Sequence, residues 1–446
     1  MTPLDFLHAS HPAPRTLPSN DAMSPLRIEE GDCVGVVLFN LGGPESLDDV
    51  GSFLYNLLMD PAFLELPIGG WARHWGARSI AYLRAGTLRE RYEMIGGGSP
   101  LTPLVEEQVE ALQRHLNEHY GEPAGVDFRT YPAMRYWTPF SEEAAAQMEA
   151  DGVDKVVLLP SYPQYSTATT GSALAYWQAL AGANERPAWP TTAVEGYAAN
   201  PKYIQAVSER IDEALQRFPR SMRDEVVLVF SAHDTVSRPR SERDDPYCCL
   251  VHSTVEQVMR RRGRDRSFHT AFQSMLGPDR WLSPSTAETV QTLAAQGQRS
   301  ILVVPITFVT DHVNTRYGLD IELRAEAEAR GITHYEVTAG LNTHPLFIEA
   351  LGEATAAQLE LPVDVNQLRV GGDGQSQTYP LRPLHQMPRH DLGGSSARCS
   401  DCGRTTGARQ WTCPERSASR EVPPDRSASS PNESSHRPAE SHPKED

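Results

Sequence analysis

Two histidines, each beside an aspartate, directly follow apolar runs that are typical of buried strands. These pairs are His233-Asp234 and Asp311-His312. A neutral imidazole can accept a proton or ligate a metal ion, and a neighbouring carboxylate can orient it. The alternative is that both histidines are helix-entry residues, with Asp234, Asp311 and Asn314 capping the helices that follow. Because the two pairs occupy matching positions, we favour a functional site.

A group of thiols near the end of the chain is a second candidate site. Cys399, Cys402 and Cys413 lie in one short segment, and thiolates at this spacing can chelate zinc or an iron–sulfur cluster. A fourth ligand is missing nearby, and His385 and His390 are candidates for it. We predict a metal site here, with zinc ahead of iron–sulfur; the alternative is that these cysteines are idle.

The composition excludes several classes of protein. A formal net charge of −17 repels phosphate backbones and argues against nucleic acid as a partner. No apolar run approaches the roughly 18 residues of a membrane span, and the N-terminus lacks the pattern of an export signal. We therefore expect a cytoplasmic protein with reduced thiols, in which Cys33, Cys248 and Cys249 are small buried hydrophobic side chains.

The elements that must position these residues alternate between apolar, β-rich runs and helical patterns. This alternation predicts an α/β protein with a mostly parallel sheet. In such sheets ligands bind beyond the carboxyl ends of the strands, where both histidine pairs lie. The predicted strands are Val36–Leu41, Phe128–Tyr136, Val156–Pro160 and Ala193–Tyr197, then Val226–Phe230, Phe268–Met275, Ile301–Pro305 and Tyr335–Thr338.

The chain reads as two copies of one unit. Pro160 and Pro305 end the third strand of each copy, and Pro201 and Pro345 begin similar helices at nearly the same separation. A shared period of this size indicates duplicated domains.

The predicted organisation has five parts. Residues 1–30 form a flexible arm, 31–205 the first domain, 206–370 the second domain, 371–413 a Cys-containing extension and 414–446 a disordered tail. The tail is rich in Ser and Pro and cannot bury enough apolar surface to offset the entropy of ordering.

The first copy carries an insert, about residues 44–104, with no counterpart in the second. It is apolar for a surface element, which fits either ordinary packing of an extra helical pair or a hydrophobic lip over a large flat ligand or a membrane surface. Within it, Gly96–Pro100 lacks the pattern of a phosphate-binding loop and is predicted to be a tight turn.

The segments at the carboxyl edges together resemble the ferrochelatase family. The resemblance spans about Arg27–Gln358 and keeps the family's order of motifs. The matching runs are VVLFNLGGPESLDDVGSFLYNLLMDP, YEMIGGGSPLTPL, LLPSYPQYSTATTGS, VFSAHDT with DDPY, FQSMLGPDRWLSPST and VPITFVTDHVNTRYGLDIE.

The resemblance implies two Rossmann-like domains with a porphyrin cleft between them and insertion of Fe²⁺ into protoporphyrin IX in haem synthesis. It makes the insert a porphyrin lip that can touch the membrane, with the protein cytoplasmic or peripheral to the inner face of the membrane. The residues carried over by position are His233, His312 and Asp311 for proton transfer, His233 and Asn314 for the metal, and Leu41, Arg135, Tyr165, Ser172, Trp281 and Phe308 for the macrocycle.

The sequence departs from the family pattern at several positions. Asn314 stands where the family has Glu, and Gly318 stands where an acid is common, while Glu322 is retained. Thr167 stands where cluster-containing members have a Cys, so the C-terminal thiols do not reproduce the family's iron–sulfur arrangement. The alternatives are therefore a non-catalytic tetrapyrrole-binding relative, degenerate at Asn314, and a chelatase for another metal or porphyrin.

Overall fold

A computed structural model describes residues 24–60, 70–182, 187–233, 247–273 and 284–361, together with 397–398 and 405–406. It contains two four-stranded sheets in which every pairing is parallel. The first sheet has strands β1 (Cys33–Asn40), β2 (Asp127–Met134), β3 (Lys155–Pro160) and β4 (Thr191–Ala193). The second has β5 (Val227–His233), β6 (Phe268–Gln273), β7 (Ser300–Pro305) and β8 (His334–Val337).

The two sheets have the same topology, β2-β1-β3-β4 and β6-β5-β7-β8. The central strands are almost fully buried, as expected for parallel sheets covered by helices on both faces. The α/β class and the duplication predicted from the sequence are confirmed.

Helices connect the strands and cover the sheets. They are α1 (Val50–Met59), α2 (Gly70–Glu93), α3 (Leu101–Leu116), α4 (Ser141–Ala150), α5 (Ser172–Gly182), α6 (Pro201–Leu215), α7 (Tyr247–Arg261), α8 (Thr286–Ala295), α9 (Leu323–Ala329) and α10 (Pro345–Ala357). Shorter pieces are the helical turn Glu122–Ala124, the 3₁₀ helix Arg220–Glu225 and the π-helices Asn117–Gly121, Thr167–Gly171 and Asn314–Glu322. In the described ranges no helix is both long and apolar enough to cross a membrane.

The equivalent helices α6 and α10 pack against each other between the two sheets. Each begins at the predicted proline, and Asn200 caps α6 by accepting from the backbone N–H groups of Lys202 and Tyr203. Lys202 also forms ion pairs with Glu349 and Glu353 of α10 at 2.7 and 3.0 Å. One apolar cluster includes residues of both sheets and of α3, α6 and α10, so the two domains share a core.

The described part of the insert is a helical pair followed by a glycine turn. Leu58 and Met59 of α1 pack on Ala77 and Ala81 of α2. The two helices thus pack together as an extra helical pair. The opposite side of α2 exposes large apolar side chains: Trp71 (79%), Trp75 (54%), Tyr82 (84%) and Leu83 (76%). The predicted tight turn is confirmed, with positive φ at Gly96 and Gly97.

Three details differ from the sequence predictions. Strand β4 covers only Thr191–Ala193, because its backbone pairing ends at Ala193. Cys248 is buried, but Cys33 and Cys249 are only half-buried; Cys33 is the first residue of its strand. Residues 24–30, assigned to the flexible arm, contact the fold through a Leu26 N–H that donates to the Gln358 carbonyl at 2.8 Å.

Candidate functional site

His233 is the last residue of β5 and therefore lies at the carboxyl edge of the second sheet. Its backbone N–H donates to Thr307 Oγ1 at 2.8 Å, and its carbonyl accepts from the Tyr247 hydroxyl at 2.7 Å. Among the described residues its buried Nδ1 has no hydrogen-bond partner. Two hydrogen bonds thus fix the backbone of His233, while its imidazole packs against the Phe308 ring.

Phe308 contacts both His233 and His312. Its ring centroid lies 5.1 Å from that of His233 and 4.1 Å from that of His312. His312 is only 5% exposed, and neither of its ring nitrogens finds a hydrogen-bond partner in the described part of the chain. Buried polar atoms without partners cost stability, so they often mark functional positions.

Both imidazoles are held in the neutral form. Burial, and then repulsion from His312, lower the pKa of His233 to about 4. Burial also lowers the pKa of His312 to about 4, against the opposing influence of Asp311. At neutral pH each ring therefore offers an unprotonated lone pair.

Asp311 is held by its neighbours on both sides. Its Oδ1 accepts from Thr315 Oγ1 at 3.1 Å, its Oδ2 accepts from Asn342 Nδ2 at 3.1 Å, and Arg316 forms an ion pair with it at 3.0 Å. The backbone N–H of Asp311 donates to Asn342 Oδ1. Asp311 thus fixes the loop that carries His312.

Asn314 begins the nine-residue π-helix Asn314–Glu322. Val313, the residue before this helix, makes no side-chain cap hydrogen bond. π-Helical turns are rare and are frequently found at functional sites.

Gln273, the last residue of β6, faces this π-helix. Its Nε2 donates to the Asn314 carbonyl at 3.3 Å. A Cβ atom placed on Gly318 would lie only 2.6 Å from the same Nε2. The absence of a side chain at Gly318 therefore leaves the room that the carboxamide occupies.

The far end of the π-helix contacts the insert. Arg91 of α2 forms an ion pair with Glu322 at 3.1 Å, and its guanidinium lies 5.1 Å from the centre of the Tyr317 ring. The retained acid Glu322 thus links the insert to the second domain.

A second set of predicted residues meets at a buried carboxylate, Asp60. Its Oδ2 accepts from Arg135 Nη2 at 2.9 Å, from the Ser172 hydroxyl at 2.7 Å and from the Tyr136 hydroxyl at 2.8 Å. The Arg135 Nε also donates to Ser172 Oγ at 2.9 Å, and its guanidinium lies 4.6 Å from the centre of the Tyr176 ring. This network ties the end of α1 to the first sheet.

The other predicted macrocycle contacts lie near this set or between the domains. Leu41 follows β1, and its carbonyl accepts from the Tyr136 N–H at 3.0 Å. Tyr165 is buried with Ala198 and with Leu250 of α7.

Several predicted residues fall where the structure offers no description. Trp281, Asp234, Cys399, Cys402 and Cys413 lie outside the described residues. The two-residue strands β9 (Ala397–Arg398) and β10 (Thr405–Thr406), which pair antiparallel, precede Cys399 and follow Cys402 in sequence. Within the described ranges no group of three or more His, Cys, Asp or Glu side chains is placed to hold a metal ion.

Sequence reasoning missed Asp60, Gln273 and Asn342. A signal existed for two of them, since Asp60 is a lone carboxylate at the end of an apolar helix and Gln273 ends a strand at the ligand-binding edge. No sequence pattern indicated Asn342, because its contact with Asp311 forms only in the folded chain.

The family model and the curated relatives identify one family. A family model described as Ferrochelatase matches residues 33–359. The ferrochelatase of Synechococcus elongatus is 41% identical over 330 residues, covering 74% of this chain and 83% of that protein. That of Nostoc punctiforme is 40% identical over 335 residues, with coverage of 74% and 83%.

Among solved structures, SirB from Bacillus subtilis with Fe³⁺ is similar to 76% of this chain and 100% of that chain, with 10% identity and a TM-score of 0.42. The range that the family model matches contains all eight strands of the two four-stranded sheets. It also contains every predicted site residue except those of the C-terminal metal site, Cys399, Cys402 and Cys413 with the candidate ligands His385 and His390.

Proposed function

This chain belongs to the ferrochelatase family, and on that premise we propose that His233 is the group that first accepts a pyrrole proton or holds the incoming metal. The chain is a protoporphyrin ferrochelatase, a lyase of haem biosynthesis that takes Fe²⁺ and the porphyrin as substrates. The observation that carries the role of His233 is the position of its half-buried imidazole at the carboxyl edge of the second sheet, with a buried Nδ1 that has no partner among the described residues.

The reaction exchanges two pyrrole N–H protons for one ferrous ion. A neutral imidazole can take a proton from nitrogen as the metal–nitrogen bonds form. With a pKa of about 4, the His233 imidazolium gives its proton up readily at neutral pH. A weakly basic nitrogen donor also binds Fe²⁺ reversibly, whereas a thiolate would hold the ion too tightly to release it.

His312 and Asp311 belong to the same proposed machinery. Phe308 lies against both imidazoles. We assign His312 to proton transfer with His233, and Asp311 to holding His312 in place. Asn314 is the proposed second metal contact, as an uncharged oxygen donor.

The macrocycle is assigned to the cleft between the domains. Leu41, Tyr165, Phe308 and Trp281 are its proposed apolar contacts, and Arg135 and Ser172 its proposed polar neighbours. The Asp60 network supports the last two, because Arg135 and Ser172 are already paired and rigid before a ligand arrives. Rigid walls are what bending a flat ring requires.

The C-terminal thiols are proposed to hold a structural metal. Cys399 and Cys402 lie in sequence between β9 and β10, a spacing typical of a zinc knuckle. Zinc is favoured over an iron–sulfur cluster.

The exposed face of α2 is proposed to touch a membrane surface, with the protein otherwise in the cytoplasm. Trp71, Trp75 and Tyr82 are exposed on one side of the helix, and aromatic side chains of this kind favour membrane interfaces. Arg78 and Arg84, also exposed, add attraction to anionic headgroups.

The function is tested by anaerobic incubation with protoporphyrin and Fe²⁺, following porphyrin fluorescence and absorbance. We expect the wild type to consume free porphyrin and His233→Ala to lose insertion, with porphyrin affinity largely kept because the apolar walls carry it. His334→Ala is the matched control, since His334 begins β8 at the opposite edge of the same sheet.

Two outcomes would contradict these assignments. Tight porphyrin binding without insertion of Fe²⁺ or Zn²⁺ by the wild type would leave a non-catalytic tetrapyrrole binder. Near-native turnover of His233→Ala would make that histidine structural.

A further inference from the structure

Gln273 lies beside His233 at the carboxyl edge of the second sheet. The two residues are partners in the register of β5 and β6. In-register residues of neighbouring strands direct their side chains to the same face of a sheet. The Gln273 carboxamide therefore leaves the sheet on the same side as the His233 imidazole.

The carboxamide has one end anchored and one end unsatisfied. Its Nε2 donates to the Asn314 carbonyl. Its Oε1 is buried and has no hydrogen-bond partner among the described residues. Unpaired buried acceptors are uncommon in folded proteins, and this oxygen is a donor atom that the described residues leave unused.

The Gln273 carboxamide fits against the π-helix because residue 318 is a glycine. Any side chain at position 318 would begin 2.6 Å from Gln273 Nε2. Asn314 and Gly318 are four residues apart on the π-helix and carry no acid, so the two carboxylates expected there are both missing. The Gln273 side chain fills part of the vacated space.

We propose, on the basis of the function proposed above, that Gln273 is a metal-binding residue whose Oε1 is an oxygen donor to the ferrous ion as it approaches His233. An amide oxygen is uncharged and does not titrate near neutral pH. Metal entry in this chain then uses neutral oxygen donors where the family pattern has carboxylates. The competing explanation is structural: Gln273 only holds the π-helix through Asn314.

Two substitutions at Gln273 separate these explanations. Gln273→Met keeps the size and removes both polar atoms, while Gln273→Glu keeps an oxygen donor but cannot donate to the Asn314 carbonyl. We expect Gln273→Met to raise the KM for the metal about tenfold with the KM for porphyrin unchanged. We expect Gln273→Glu to keep the metal KM at or below the wild-type value. A purely structural role predicts equal damage from both.

Gly318→Ala tests the same contact from the opposite side. The new Cβ displaces the flexible end of Gln273, so the metal KM should rise as in Gln273→Met. Alanine favours helix over glycine, so the unfolding midpoint should stay or increase. Gln291→Met is the matched control, because Gln291 lies on α8 and pairs with Glu326 outside the site.

A direct titration provides a readout that does not need turnover. Zn²⁺ binding is measured by calorimetry in full-length chains carrying Cys399→Ser, Cys402→Ser and Cys413→Ser, with and without Gln273→Met. Weaker binding in the Met variant supports the proposal. An unchanged metal KM and unchanged Zn²⁺ affinity in Gln273→Met, or equal effects of Met and Glu, would overturn it. An inactive wild type with the expected Zn²⁺ difference would instead count against the proposed function.

Discussion

At the scale of single residues, the site contains buried polar groups that lower the stability of the folded protein. His312 is buried with two unpaired nitrogens, and a buried imidazole without partners costs free energy in the folded state. This cost should be visible as a pH dependence of folding.

The free energy of unfolding is expected to fall on acidification through the range set by His233 and His312. Both have a pKa of about 4 in the folded protein against about 6.5 in an unfolded chain. The unfolded state therefore binds more protons between these values, and each group lowers stability by roughly 1.4 kcal/mol per pH unit as the pH falls.

His312→Gln removes one of these groups and should reduce that slope by about one proton. Urea unfolding at several pH values measures the slope, and His334→Gln serves as the control. A slope identical to that of the wild type would mean that His312 is not held neutral in the folded protein.

Asn314→Glu is expected to keep or raise the insertion rate and to change its pH profile. A carboxylate accepts protons and binds Fe²⁺ more strongly than an amide, and it adds a titrating acid to the cleft. Steady-state rates from pH 6 to 9 measure the change. Loss of activity in a well-folded Asn314→Glu protein would show that the site has been rebuilt around the amide.

At the scale of elements, the strands were predictable because buried parallel strands consist of continuous apolar runs. The ends of β5 and β7 followed from the same runs, and with them the placement of His233 and His312 at one edge. The contacts between distant segments were not predictable. The pairing of Asp60 with Arg135 joins α1 to the end of β2. No local sequence pattern predicts that these two residues, far apart in the chain, are in contact.

The Asp60 network should contribute strongly to stability. Asp60 and Arg135 are both almost fully buried, and removing one partner leaves an uncompensated buried charge. Asp60→Ala is therefore expected to lower the free energy of unfolding by about 3–5 kcal/mol. The control Asp48→Ala changes an exposed carboxylate in the same insert. A loss below about 1 kcal/mol, the usual value of a surface pair, would contradict the role assigned to the network.

The exposed face of α2 should mediate vesicle binding. Replacing Trp71, Trp75 and Tyr82 together by Ala removes the aromatic side chains that would enter the headgroup region. Co-sedimentation with vesicles containing phosphatidylserine is expected to fall several-fold, while Met94→Ala, just beyond the helix, should bind like the wild type. Equal sedimentation of the triple variant would assign the aromatic face to something other than lipid.

At the scale of the whole molecule, the two sheets and their shared core are complete before residue 371. Deleting 371–446 should therefore leave the urea midpoint of the core unchanged. If the C-terminal thiols bind zinc, elemental analysis should find about one ion per full-length chain and none after the deletion. Full-length protein purified without chelators and free of zinc and iron would indicate idle cysteines.

The packing of α6 on α10 has a consequence for how such a cleft can arise. Two separate copies of one unit that met through this helix would form a self-complementary pair with twofold symmetry, and every side chain would appear twice around the cleft. Within a single polypeptide each copy is free to diverge. Among the described residues, the insert belongs to the first half, and the contacts of the Phe308 ring with His233 and His312 belong to the second. Joining the two copies in one chain thus allows the two sides of the cleft to carry different residues. A reaction between a flat ring and a small ion requires two such different sides.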